Sequence, residues 1–137
     1  MQKSVELKAA AGGASVALAV LQEALGEACG QGQGVAASEV AKALAVIAQL
    51  VEEAAAGRDP LQVTDDWSAP AAWPQFPHWD RWAWAIRTLA VASGTRAHCA
   101  QKYGYLRVDI GPARTPELTA ALSELADLME RASDTED

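Results

Sequence analysis

The sequence predicts a mostly α fold of the α+β type: an antiparallel helical hairpin, a tryptophan-rich helix, a short β-element and a C-terminal amphipathic helix. Three observations carry this prediction. Apolar residues recur at three- and four-residue spacing in several separate stretches, which is the period of a helix with one buried face. A single stretch, Tyr105 to Ile110, alternates apolar and polar residues as a half-buried strand does. The only other long segment is interrupted by prolines and set with aromatics. At 137 residues the chain is the size of one domain with one core. It divides into a helical hairpin over 4–57, a proline–tryptophan loop over 58–77 and a helix–strand–helix unit over 78–137.

The first helix reads from 4 to 28. Ala14, Leu18, Leu21, Leu25 and Ala28 form its stripe, widened by Val16 and Val20, while Glu23 and Glu27 lie off it. Gly12-Gly13 argues that the helix starts in earnest only after Gly13, since each interior glycine costs about 1 kcal/mol relative to alanine. Gly30 to Gly34 then breaks the pattern as a flexible connection, with neither the Lys-Ser/Thr ending nor the preceding strand of a phosphate loop. The second helix runs from Val35 or Ser38 to Ala56. Ser38 is its candidate N-cap, and Val40, Leu44, Ile47 and Val51 form its seam, extended by Val46 and Leu50. Gly57 in a left-handed conformation and Pro60 beyond it end the helix.

Pro60, Pro70, Pro74 and Pro77, with Trp67, Trp73 and Phe76 between them, predict extended or turn structure, with Leu61 to Thr64 as one short strand. Pro77 opens a third helix over His78 to Ser93 whose inward stripe is Trp79, Trp82, Ile86 and Leu89. Trp84 falls on the other side, in line with Thr88 and Val91. Either this helix is buried on two sides or Trp84 belongs to an exposed contact surface. Gly94 ends or kinks it, and Thr95 is expected to cap a further helical turn to about Lys102. In the strand over 105–110, Leu106, Val108 and Ile110 point one way and Tyr105, Arg107 and Asp109 the other. Its partner is expected to be 61–64 or the same strand of a second copy, because a lone strand cannot satisfy its backbone. Thr115 as N-cap, Pro116 and Glu117 start the last helix, with Leu118, Leu122, Leu125 and Met129 as its core stripe.

The composition excludes more chemistry than it supports. The net charge of −7 disfavours direct contact with nucleic-acid phosphate and suits a basic protein surface. Cys29 and Cys99 make no disulfide framework and read as reduced thiols. The N-terminus lacks the pattern of a signal peptide, and Ala14 to Leu21 is too short to span a bilayer, so the expectation is a soluble cytoplasmic protein with no membrane contact. His78, His98, Cys29 and Cys99 lack the spacing of a metal site, and no group orients a Cys–His nucleophile. No catalytic residue, metal or cofactor is assigned. Tryptophan, tyrosine and arginine dominate binding energy at interfaces. Trp67, Trp73, Trp84, Arg81, Arg87 and Tyr105 are therefore the candidate binding residues, weighed against a single large aromatic core in which the arginines only pair or snorkel.

The stretch Gln101-Lys102-Tyr103-Gly104-Tyr105-Leu106-Arg107-Val108 resembles a group of uncharacterised phage and prophage proteins. They carry a Lys-aromatic-Gly-x-Leu-Arg strand after a tryptophan-containing helix and before a leucine-rich one. The resemblance spans Trp79 to Ala132; where many members end in a cysteine pair, this chain has Ser133-Asp134-Thr135. It implies a mobile-element origin. The functional expectation is a non-enzymatic interaction module, in its phage-like version an inhibitor that binds a host protein. The alternatives are a small-molecule binder or minor enzyme with an aromatic pocket near Trp73, Trp79 and Tyr103, and a structural homodimer joined through 105–110.

Overall fold

The computed structural model describes residues 2–28, 37–57, 80–102 and 105–133. In order these form α1 (Gln2–Ala28), α2 (Ala37–Ala55), α3 (Asp80–Ala92), β1 (Ala97–Lys102), β2 (Tyr105–Ile110) and α4 (Pro116–Ser133). The fold is mostly helical, with one two-stranded antiparallel sheet. The glycine connection over 30–34, the 61–64 strand, and the 58–77 loop with Trp67 and Trp73 lie outside the described residues, as do Cys29, His78 and Trp79.

The core is one cluster fed by every described element. α1 packs on α4 and α2, α2 on α3, and the hairpin lies across the far side, with β2 against α4 and β1 beside α3. The expected stripe of α4 is buried, as is that of α2 apart from the partly buried Leu44; Ala43 and Ala54 join it in α2 and Ala121, Leu128 and Ala132 in α4. Alanine at these positions lets helix axes approach closely, which is why so alanine-rich a chain can close a core.

Several expectations are corrected. α1 runs unbroken through Gly12-Gly13, because Leu7 and Ala11 in the turns before them are buried. Burying a leucine stabilises by roughly 1.5–3 kcal/mol and offsets the glycine cost. A Cβ at Gly13 would meet only the carboxylate of Glu124 on α4, the far end of an exposed, flexible side chain. Val16 does not widen the stripe but stands 66% exposed, and Ala17 takes the core position. By length and composition alone, Val5–Leu25 is long and apolar enough to cross a membrane, whereas the eight-residue stretch suggested otherwise. Only 33% of that apolar window is buried inside the fold. α2 starts at Ala37, so Ser38 stands inside its first turn and not at the cap.

The remaining correction concerns the hairpin. Residues 97–102 are a strand and not a helical turn, and this strand pairs antiparallel with β2. The cause is the end of α3. Gly94 takes φ +83, Gly94 N–H donates to Val91 O and Thr95 N–H donates to Ala90 O. These two bonds make a Schellman motif, which stops the helix and turns the chain away. Arg114 seals the same end, its Nη2 donating to Ala92 O at 3.1 Å and its backbone N–H to Ser93 O. Gly57, at φ 77, closes α2 in the left-handed conformation as expected. Thr115 caps α4, its Oγ1 accepting from Leu118 N–H at 3.2 Å.

Candidate interaction surface

Trp82 and Trp84 are two residues apart on α3, about 200° around the helix axis, and their environments differ accordingly. Trp82 is 1% exposed and fills the core between the helices. Trp84 is half-buried: its inner edge packs on the core, and Lys42 of α2 stands over its ring at 5.6 Å from the centroid. A cation at that distance over an indole is held by the ring quadrupole, and its stem shields one ring face. Arg81 is also half-buried and lies over Trp82, 5.8 Å from the centroid.

From Trp84 the outer side of α3 continues through Arg87, Thr88 and Val91, the i, i+3, i+4, i+7 pattern of one helix face. Arg87 is exposed, Thr88 is intermediate and Val91 is 38% exposed. This strip presents a large aromatic, an arginine and an apolar residue side by side, the types that carry interface energy. The structure thus sets Trp84 and Arg87 together on one face. It places Tyr105 elsewhere, at the start of β2 at the register position opposite Lys102.

Register gives the hairpin two distinct sides. Ala97, Cys99, Leu106, Val108 and Ile110 share the inward face, while His98, Ala100, Arg107 and Asp109 share the outward one. Two side chains of α4 fasten β2. Leu106 N–H donates to Ser133 Oγ at 2.8 Å, and Val108 N–H donates to Glu130 Oε2 at 2.8 Å. Ser133 Oγ in turn donates to Glu130 O, and Arg107 Nε stands 3.9 Å from Glu130 Oε2. Sequence inspection offered no signal for these bonds, since they join positions more than twenty residues apart.

Charge is divided unevenly along the chain. From Arg81 to Arg114 there are six basic residues (Arg81, Arg87, Arg96, Lys102, Arg107, Arg114) and one acid, Asp109; the rest of the chain holds five basic residues and 17 acids. A basic island therefore sits in an acidic protein, and the whole-chain net charge conceals it. Cys99 lies at its inner side. Burial pushes its thiol up to about 11, Arg87 opposing and Asp109 reinforcing the shift, so at neutral pH this half-buried thiol is protonated. Among the described residues, no three His, Cys, Asp or Glu side chains converge as a metal site would require.

No family model, no curated protein and no solved structure matches this chain.

Proposed function

We propose that the chain is a non-enzymatic interaction module that engages a partner protein through the outer strip of α3, with Trp84 and Arg87 at its centre. The observation that carries this reading is the unequal burial of the two tryptophans. A helix needing only a core anchor has one in Trp82, and Trp84 keeps part of its indole at the surface beside Arg87 and Val91. Large aromatics left at a surface beside apolar and arginine neighbours are the usual material of a hot spot. In the version suggested by the phage-like motif, the partner is a host protein and the chain inhibits it.

Trp84→Ala tests the reading. Partner capture by the full-length chain is expected to fall at least tenfold, while the melting temperature drops only slightly. Trp82→Ala serves as the contrast and should cost about 3–5 kcal/mol, the range for emptying a buried tryptophan site. Equal destabilisation by the two changes, or undiminished capture by Trp84→Ala, sinks the proposal.

A further inference from the structure

The two edges of the hairpin are finished differently, and the difference points to a binding mode. In an antiparallel ladder, residues alternate between pairs that exchange hydrogen bonds and pairs whose N–H and C=O point outward. Gly111 N–H donates to Arg96 O at 3.0 Å, which makes that pair a bonded one. Stepping along the register, Ala97, Cys99 and Gln101 on β1, with Leu106 and Val108 on β2, turn their polar groups away from the other strand. On β2 the outward amides are occupied by Ser133 and Glu130. On β1, among the described residues, nothing accepts from the amides of Ala97 and Cys99.

An open strand edge is a template for another strand, and proteins usually cover such edges or load them with charge. Among the described residues, β2 is covered and β1 is not. The flanks of β1 are basic: exposed Arg96 precedes it, His98 lies exposed along it, and Lys102 ends it. The geometry points to β1 as a docking edge for an extended acidic segment of a partner protein, which adds to the hairpin as a third strand. This deepens the interaction reading above and rests on it, naming the shape and charge of the partner element. Three arguments select this occupant. The alternating N–H and C=O groups of the edge match a peptide backbone and not a sugar–phosphate chain. Like charges opposite one another disfavour strand pairing, and antiparallel pairing of β1 with its own copy about Cys99 sets Arg96 at the register position opposite Lys102 of the copy. An acidic strand meets the basic island with complementary potential.

The test uses the full-length, isotope-labelled chain and two synthetic peptides, one alternating Glu with Val and the other Lys with Val. The expected result is a chemical-shift change and slowed hydrogen exchange at the amides of Ala97 and Cys99 with the Glu peptide only. Arg96→Glu should weaken that response several-fold. Cys99→Pro removes an outward donor, which an edge strand tolerates, and should abolish binding with the β2 signals retained; if it fails to fold, Ala97→Pro and Arg96→Glu carry the test. Unmoved edge amides with the Glu peptide at millimolar concentration overturn the proposal. So does equal binding of both peptides, stronger binding of a DNA oligonucleotide at the same amides, or edge protection with doubled mass in the absence of peptide. Shifts confined to the Trp84 indole leave the α3 strip standing and remove the edge. Edge binding unaffected by Trp84→Ala does the reverse.

Discussion

Glycine means opposite things at two places in this chain. Gly12 lies mid-helix in α1 with open space where a Cβ would sit, so its only effect there is extra freedom in the unfolded chain. Gly12→Ala is expected to stabilise by about 0.5–1 kcal/mol and to raise Tm by about 2–4 °C. Gly94 sits at φ +83 with Arg114 Cγ only 2.6 Å from an added Cβ. Gly94→Ala forces a left-handed alanine and dislodges the guanidinium from the end of α3, so a loss of about 1–3 kcal/mol is expected. Thermal melts of the two variants decide both, and a stabilising Gly94→Ala contradicts the Schellman geometry. Cys99 supplies a pH signature at the same scale. Its thiol, ordinarily at 9.0, rises to about 11 in the fold. An unfolded chain releases this proton first, so the folded state binds more protons across that window and stability falls as pH climbs from 9 towards 11. Urea midpoints of the parent and Cys99→Ala should diverge in slope only above pH 9.0; parallel pH profiles refute the buried-thiol assignment.

At the scale of elements, α1 is the one whose extent the sequence misjudged. Interior glycines argue locally for a late start, yet Leu7 at 1% exposure and Ala11 at 3% are core residues. Leu7→Ala is therefore expected to cost about 2–5 kcal/mol, as a mid-core leucine does. A urea titration showing a loss below about 0.5 kcal/mol, the range of a surface change, contradicts a helix packed from its first turns. The contrast with α4 shows what is legible. The start of α4 is written in adjacent residues, Thr115, Pro116 and Glu117, and its stripe is periodic, so both could be read directly. The continuity of α1 depends on contacts with α4 over a hundred residues away. β1 was harder still. Ala97-His98-Cys99-Ala100-Gln101-Lys102 has no β-branched residue, and alanine, glutamine and lysine favour helix. It is a strand because the Schellman turn ends α3 and β2 presents a matching ladder, and neither is a property of those six residues. Trp84 was half legible: its angle from Trp82 follows from helix geometry, whereas Lys42 over its ring comes from another helix.

For the molecule as a whole, the separation of charge decides what kind of partner the basic island can hold. From Arg81 to Arg114 the sequence sets six cations beside one acid, and Glu130, one of the 17 acids outside that stretch, stands 3.9 Å from Arg107 Nε. Binding to nucleic acid draws its free energy from counterions released by neutralised phosphates, and log K falls by about 0.9 per phosphate for each decade of salt. Arg114 is already spent on the end of α3 and Arg107 stands beside Glu130, so few cations remain for phosphates. A short DNA duplex is therefore expected to bind weakly at low ionic strength and not measurably at physiological salt. The acidic peptide on β1 should behave differently. Its charge pairs are screened in the same way, but the backbone hydrogen bonds of an added strand are not, so its affinity should drop only several-fold over the same range. Fluorescence anisotropy of both probes against the full-length chain, across a salt series, separates the two cases. Parallel losses for peptide and duplex leave the island with charge attraction alone and no strand pairing. Retention of the duplex at physiological salt makes the island a phosphate-binding surface despite the net charge of −7.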